Sequence, residues 1–333
     1  MKRLIALSLI LTSLFATAAM AGEELVIYSG RSDKFVKPVV KAFTEKTGIR
    51  VTLHSAKSTA LLNKLRLEGK RTEADLYLSN DAGNLQRGSD LGLFQPIPAD
   101  LASRIPANYR ASDNTWLGLS ARARVLVVNT HSPLAKQLHS VFDLAKPELR
   151  GRIGITNSAN ESFIAGVTVY MLSAGVDATR DWLKGLQRNA ELNVFNKHSK
   201  IVKAVAKGQL EVGLVNHYYI FRHLAKQPKA PVRILIPDQG PDDIGVAWNV
   251  AGIAISKYSH HVDAAQRFVD FVSSPEGQRI FAEVNREYPT RPGVPTAPEI
   301  PPADSIKVAD VPMEKLGELR NATLDLLQEV DMP

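Results

Sequence analysis

Two adjacent tyrosines, Tyr218 and Tyr219, carry the most specific chemistry in this chain. A tyrosine side chain normally has a pKa of about 10, so two phenolates at neutral pH require a highly charged cation that displaces both protons. Hard oxygen donors also suit hard cations, which indicates Fe(III) in preference to Zn(II) or Cu(I). The alternative is that the pair packs as ordinary aromatic residues in the core or on the surface.

The surrounding residues decide whether both phenols can reach one ion. An apolar run at 212–215 leads into Asn216-His217 and the tyrosines, so the sequence predicts a strand over 210–215 that turns into a helix. Successive strand residues point to opposite faces, whereas successive residues at a helix start diverge by only about 100 degrees. The free amides of that helix start also favour an anionic site.

Composition excludes several other chemistries. The 333 residues include no Cys, which removes disulfides, thiolate metal sites, iron–sulfur clusters and thiol nucleophiles. Hydrophobic residues make up 44% and charged residues 23%, as in an ordinary globular protein. The formal net charge is +7, or +5 without Lys2 and Arg3. The basic residues alternate with acidic residues along the chain, which favours a solvated surface over nucleic-acid binding.

The N-terminus has the three parts of a secretory signal peptide. Lys2 and Arg3 precede an apolar run at 4–14, and the small-residue motif Ala19-Met20-Ala21 follows. We expect cleavage after Ala21 and a mature protein in the periplasm. The apolar run is too short to cross a bilayer, and no later run approaches about 18 apolar residues, so stable membrane insertion is not expected.

Strand and helix patterns alternate after the signal peptide. A β-branched strand at 25–29 is followed by a helix from Asp33, and strands at 49–54 and 74–79 flank a second helix, which together give βαβαβ. A similar pattern begins again at Gly151. This alternation predicts an α/β fold with mostly parallel sheets, whose strand ends line a crevice.

The size of the mature chain, about 310 residues, predicts two lobes. Two extended runs, 122–129 and 246–255, are long enough to cross between the lobes as a hinge. The predicted division is a signal peptide at 1–21, an N-terminal lobe at 22–123 and about 253–300, a C-terminal lobe at 124–252, and a helical segment at 301–333 packed on a lobe.

Several stretches together resemble the periplasmic ferric-ion-binding proteins of ABC importers. They are residues 26–31, 74–77, 122–129, 151–154 and Asn216-His217-Tyr218-Tyr219. The resemblance spans nearly the whole mature chain and implies a type II-like periplasmic-binding-protein fold with two hinge crossings. In that family the tyrosines corresponding to Tyr218 and Tyr219 ligate Fe(III). The implied partner is an ABC permease in the inner membrane, and the implied state is a monomer.

The chain departs from the family in its other ligand positions. Where many relatives have His or Glu, this chain has Ser32 and Asn80. Two phenolates cannot fill the roughly six positions that a ferric ion prefers, so an exogenous anion or water must supply the remainder. Four residues are further candidate ligands, although each also fits a structural role in a strand or at a helix start: Tyr28, Asp33, Asp81 and Glu161.

The resemblance also implies an anion site. Arg31, Arg122 and Arg124 lie at the strand end and hinge where relatives hold their anion, and paired N–H groups of Arg suit a planar oxyanion such as carbonate. The alternative for these arginines is surface ion pairing. Asn157 and Ser158, at the start of a helix, are further donors to the same anion.

The function predicted from the sequence is solute binding for an ABC importer. The protein would take up Fe(III) with a synergistic anion between its lobes and deliver the iron to the permease. The alternative is a carrier for an organic or oxyanion solute, such as a polyamine, thiamine or a phosphorylated small molecule, because the fold does not determine the ligand. An enzyme is not expected, since no hydrolase motif occurs in a fitting context.

Overall fold

Strands and helices alternate along residues 24–333, the residues that the computed structural model describes. The predicted signal peptide, with its cleavage after Ala21, lies outside them. The strands of this range are β1 (Glu24–Ser29), β2 (Arg50–Ser55), β3 (Leu76–Ser79), β4 (Phe94–Gln95), β5 (Leu117–Asn129), β6 (Ile153–Thr156), β7 (Val194–Phe195), β8 (Val212–Asn216), β9 (Val232–Leu235), β10 (Trp248–Ser256) and β11 (Tyr288–Pro289).

The helices connect these strands and cover the sheet. They are α1 (Asp33–Thr47), α2 (Ser58–Glu68), α3 (Ala82–Asp90), α4 (Ala99–Ala102), α5 (Glu161–Ala174), α6 (Val176–Ala190), α7 (His198–Ala206), α8 (Tyr218–Lys226), α9 (Val262–Ser273), α10 (Pro275–Asn285), α11 (Lys315–Glu318) and α12 (Arg320–Glu329). Within the described range, no helix has both the length and the apolar character needed to span a membrane.

One path of paired strands runs through the molecule in the order β2-β1-β3-β10-β5-β8-β6-β7. In its first half, β1 is parallel to β2 and β3, and β10 is antiparallel to both β3 and β5. In its second half, β8, β6 and β7 are parallel, and β5 is antiparallel to β8. We call these halves, with their helices, the first and second lobes. The predicted α/β architecture is confirmed.

Strand β5 joins the two lobes. Its 13 residues are all buried, and its pairing partner changes along its length. Ala123 pairs with Trp248 of β10, whereas Arg124 pairs with Asn216 of β8. The two extended runs predicted as crossings overlap β5 and β10, which pair with each other at the junction. Side chains from this junction therefore reach the space between the lobes.

Helix α1 shows how the apolar pattern places a helix against the first sheet. Val36, Val39 and Phe43 recur at helical spacing and are fully buried. The ring of Phe43 packs against that of Phe268 in α9, with their centroids 4.9 Å apart. Gly48 ends the helix with a φ of 76°, a left-handed conformation that glycine adopts without strain. The chain then enters β2 beside β1.

The C-terminal segment contacts both lobes. The sequence predicts one helix over 312–329, but the segment forms the short helix α11 and then α12, which meet at Leu319. Helix α11 packs against α3 of the first lobe, and α12 packs against α5 of the second. The hydroxyls of Thr323 in α12 and Thr168 in α5 are 2.8 Å apart. The segment therefore bridges the two lobes beside the cleft.

Candidate metal centre

A cleft of about 740 Å³ lies between the lobes. Its first-lobe wall comes from residues that follow β1 and β3 and from the start of α2. Its second-lobe wall comes from the starts of α5, α7 and α8. The ends of parallel strands and the N-termini of helices therefore meet in one space, which is where α/β proteins bind anionic ligands.

Tyr218 and Tyr219 lie together on the second-lobe wall. Strand β8 ends at Asn216 and α8 begins at Tyr218, which is the strand-to-helix turn that the sequence predicts. The centroids of the two phenol rings are 4.4 Å apart, and both side chains line the cleft. Burial, followed by the neighbouring Tyr218, raises the pKa of Tyr219. The Tyr219 phenol therefore keeps its proton at neutral pH until a cation displaces it.

His217, between Asn216 and the tyrosines, is held by the backbone. Its Nδ1 accepts the N–H of Ala123 at 3.2 Å, and its Nε2 donates to the carbonyl of Arg286 at 2.7 Å. Burial lowers the pKa of His217 to about 4, so the ring is neutral at pH 7. Because both nitrogens are occupied, His217 positions the start of α8 and is not a metal ligand.

Two of the further candidate ligands lie outside the cleft lining. The Tyr28 hydroxyl donates to a Glu68 carboxylate oxygen at 2.8 Å and accepts from Lys64. Asp33 is paired with the Lys37 ammonium at 2.9 Å on the surface of α1. Both side chains are thus engaged in local contacts of the first lobe.

The other two candidates lie at the junction of α3 and α5. Asp81 caps α3 by accepting the Asn84 N–H at 2.9 Å, and it is buried. Glu161 lines the cleft, but one of its carboxylate oxygens accepts from the Thr59 hydroxyl at 3.2 Å and from the Asn84 amide at 3.1 Å. Burial and the charge of Asp81 raise the pKa of Glu161. Its contacts therefore join the second lobe to the first.

Arg31 lines the cleft as part of a buried ion pair. Its Nη2 lies 2.9 and 2.7 Å from the two carboxylate oxygens of Glu287, and its Nη1 donates to the Ser120 hydroxyl at 3.1 Å. Burial alone would raise the pKa of Glu287, but the charges of Arg31 and Arg122 outweigh it and lower the pKa. One carboxylate is therefore shared between two cations beside the cleft.

Arg122 and Arg124 retain unpaired donors. In the described part of the chain, Nε and Nη2 of both side chains are buried without a hydrogen-bond partner. Arg122 lines the cleft, whereas Arg124 lies behind it and donates from Nη1 to the Asn216 amide oxygen at 3.1 Å. Burial lowers the pKa of Arg124 to about 10, so it stays charged at neutral pH. Buried unpaired N–H groups are costly, and Arg122 carries two such nitrogens at the cleft.

The two predicted donors that follow β6 are placed differently. Asn157 lines the cleft. Ser158 does not, and its backbone N–H donates to the carbonyl of Pro333 at 2.6 Å. Among residues 24–333, no group of three or more His, Cys, Asp or Glu side chains is arranged to hold a metal. A metal in this cleft would therefore depend on the phenol oxygens.

Comparison with known proteins identifies the family. The protein-family model described as bacterial extracellular solute-binding protein matches residues 39–307 of the sequence. The chain belongs to this family. The major ferric iron-binding protein of Neisseria meningitidis is 31% identical over 323 residues, covering 95% of each chain. The Fe(3+)-binding periplasmic protein of Serratia marcescens is 32% identical over 271 residues, covering 81% of this chain and 79% of that one.

A solved structure extends the likeness to the fold. FutA (IdiA) of Trichodesmium, in complex with iron and citrate, superposes with a TM-score of 0.82 at 30% identity, covering 93% of this chain and 100% of that one. The predicted periplasmic-binding-protein fold and the resemblance to ferric-ion-binding proteins are therefore confirmed.

Sequence reasoning missed three residues of this solute-binding protein's cleft. Glu287 pairs with Arg31 across 256 positions, and no local pattern indicates such a partner. Ser162 lines the cleft and accepts from the Asn216 side-chain amide at 3.1 Å. His198, the first residue of α7, also lines the cleft, and a signal for it was present as a histidine at a helix start in the second lobe.

Proposed function

We propose that this protein is the periplasmic component of an ABC importer and that its cargo is Fe(III). The observation that carries the proposal is the pair of phenols, Tyr218 and Tyr219, 4.4 Å apart between ring centroids on one wall of the cleft. Two phenolate oxygens are hard, anionic donors that suit a hard trivalent cation, and residues 24–333 contain no acidic metal cluster that would compete with them. The chain matches relatives named for binding ferric iron, and each match covers most of both chains, which supports the same cargo.

A synergistic anion such as carbonate would complete the coordination of the iron. Arg122 supports this part of the proposal, because its Nε and Nη2 are buried, charged and unpaired among the described residues. Asn157 lines the same cleft. Two adjacent N–H groups of a guanidinium match the oxygens of a planar oxyanion.

Uptake and release need no covalent chemistry, so the protein would act as a carrier and not as an enzyme. The lobes would close on iron and anion, and the closed form would dock on an inner-membrane permease as a monomer. Protonation of the phenolates, or reduction to Fe(II), would release the iron, because both weaken phenolate coordination.

The decisive experiment is a visible titration of iron-stripped protein with a ferric chelate, with and without bicarbonate. We expect a phenolate-to-iron charge-transfer band that saturates at about one iron per chain and depends on bicarbonate. The Tyr218→Phe/Tyr219→Phe variant should lose the band and remain folded by circular dichroism. Tyr28→Phe is the matched control, because its phenol lies outside the cleft lining, and it should retain the band. A double variant that still binds iron tightly would contradict the proposal.

An oxyanion solute without iron is the second candidate, and the unpaired N–H groups of Arg122 favour it. The same positive charge argues against a polyamine. Calorimetry of iron-free protein with inorganic phosphate, glycerol phosphate or thiamine separates the candidates. Tight binding of one of these, together with no charge-transfer band in the first experiment, would assign the organic or oxyanion cargo.

A further inference from the structure

Three aromatic rings form a row on the second-lobe wall of the cleft. The ring centroids of Tyr218 and Tyr219 are 4.4 Å apart at an interplanar angle of 34°. Those of Tyr219 and His198 are 5.1 Å apart at 32°. The tyrosines begin α8, whereas His198 begins α7, and all three side chains line the cleft. Two helices thus bring together three side chains of types that can bind metals.

His198 is buried but has no hydrogen-bond partner. Only 4% of the residue is exposed, and within the described residues neither ring nitrogen makes a hydrogen bond. His217, in contrast, has both nitrogens bonded to the backbone. A buried polar group without a partner is costly and requires an explanation. The buried nitrogen without a partner is Nδ1, and the residue lines the cleft, so a metal-ligand role of the imidazole would supply one.

The ring packed against His198 is the phenol of Tyr219, itself a proposed ligand of the iron. A neutral imidazole binds a metal directly, and iron is among the metals that accept imidazole nitrogen.

We propose that His198 is a third protein ligand of the ferric cargo, beside Tyr218 and Tyr219. This inference rests on the proposed function and extends it from two phenolates to a donor set of two oxygens and one nitrogen. Such a set supplies half of the roughly six positions that a ferric ion prefers, so the exogenous anion and water fill the rest. It also gives the unpaired buried imidazole a role, which packing alone does not.

Gallium(III) provides a direct test, because it is a diamagnetic ion that takes the same hard ligands. Protein labelled with 15N-histidine is loaded with gallium and bicarbonate, and the imidazole nitrogen resonances are recorded. We expect one histidine resonance to move on loading, and this resonance to be the one missing in His198→Asn. We also expect His198→Asn to raise the iron dissociation constant by about tenfold or more and to shift the charge-transfer band.

His54→Asn is the matched control, because His54 is an exposed residue of β2 outside the cleft lining, and it should preserve iron affinity, band position and the moving resonance. Circular dichroism and urea unfolding of the metal-free proteins show that His198→Asn is folded. If His198→Asn is not folded, the wild-type spectrum still tests the proposal, because the absence of any imidazole resonance that moves on gallium loading would overturn it.

Two results would overturn the proposal while leaving the proposed function intact. One is wild-type iron affinity in His198→Asn. The other is a His198 resonance that moves with bicarbonate alone and does not move again with gallium, which would make the ring an anion donor. A wild-type protein that binds neither iron nor gallium would overturn the proposed function itself, so the two failures are distinguishable.

Discussion

At the scale of single residues, burial determines the protonation of the cleft wall. Burial and the neighbouring Tyr218 both raise the pKa of Tyr219, so its phenolate is unfavourable in the free protein. A trivalent cation reverses this preference, because its charge stabilises the deprotonated oxygen. The same burial that disfavours a free phenolate strengthens its bond to a metal once water is excluded. The proposed iron binding would therefore be coupled to proton release.

We expect this coupling to make iron affinity rise with pH and fall in acid. A raised pKa means that the free phenol is protonated throughout the neutral range, so each proton that iron displaces changes the apparent Kd by about tenfold per pH unit. In Tyr219→Phe the slope of log Kd against pH should decrease by about one. Competition against a chelator at fixed bicarbonate measures the slope. Tyr28→Phe should keep the wild-type slope, and an unchanged slope in Tyr219→Phe would exclude it as a ligand.

The arginines show what sequence reasoning could and could not reach at this scale. Arg31 follows a predicted strand, and Arg122 and Arg124 lie in a predicted crossing strand, so all three were expected at the cleft. Arg31 and Arg122 do line it. The partner of Arg31 was out of reach, because Glu287 follows α10 and comes beside β1 only through tertiary packing. Since Glu287 occupies Nη2 of Arg31, Arg122 has more unpaired buried nitrogens than Arg31 among the described residues.

At the scale of elements, the N-terminus of α5 makes a contact between the lobes. Glu161 belongs to the second lobe, but its carboxylate accepts from Thr59 of α2 at 3.2 Å and Asn84 of α3 at 3.1 Å. Asn84 in turn donates to Asp81, which Arg320 of α12 approaches at 3.7 Å. These polar groups lie beside the cleft and link elements of both lobes and the C-terminal segment. Their bonds can form only when α5 lies against α2 and α3.

We therefore expect Glu161→Ala to favour an open arrangement of the lobes. The contact contains two hydrogen bonds, each of which contributes about 0.5–1.5 kcal/mol, so losing it should speed iron dissociation by about tenfold. Small-angle scattering of the iron-loaded protein and stopped-flow chelator capture measure opening and release. Glu148→Ala, at an exposed position of the second lobe, is the control. A dissociation rate equal to that of the control would show that the Glu161 contact does not hold the lobes together.

Element prediction succeeded where a local apolar period governs the structure. The apolar run at 212–215 predicts strand β8. The helix start at Tyr218 was predicted because two adjacent phenols can reach one ion only where the strand turns into a helix. The C-terminal segment was harder, because its break at Leu319 comes from docking on two different helices, α3 and α5. A β-carbon on Gly317 would lie 2.4 Å from the Gln86 side chain, so tertiary contact, and not propensity, determines this path.

At the scale of the whole molecule, positive charge gathers at one edge of the cleft. The guanidinium of Arg222 lies 4.1 Å from the ring centroid of Phe35 and 5.5 Å from that of Tyr218, both of which line the cleft. The Lys34 ammonium is 4.9 Å from the Phe35 centroid. Burial, followed by the charges of Arg222 and Lys226, lowers the pKa of Lys34. We call Lys34, Arg222 and Lys226 the cationic edge; in residues 24–333 none of them forms an ion pair.

The cationic edge should accelerate the arrival of anionic iron complexes and not that of uncharged ones. A cleft lined by one sign of charge raises association rates by roughly 10- to 1,000-fold at low ionic strength, and salt screens this effect over about 10 Å. Stopped-flow loading with ferric citrate, formed in excess citrate, should therefore slow as sodium chloride is raised, whereas loading with the neutral tris(acetohydroxamato) complex should change little.

Charge reversal separates this local edge from the positive charge of the whole chain. Lys34→Glu/Lys226→Glu should slow citrate-borne loading about tenfold at low salt and remove most of its salt dependence. Lys41→Glu/Lys207→Glu, with the same net charge but at exposed positions outside the cleft lining, should load like the wild type. Equal slowing in both double variants would assign the effect to net charge. Because steering acts on the encounter and not on the bound state, the iron dissociation rate should be similar in all three proteins.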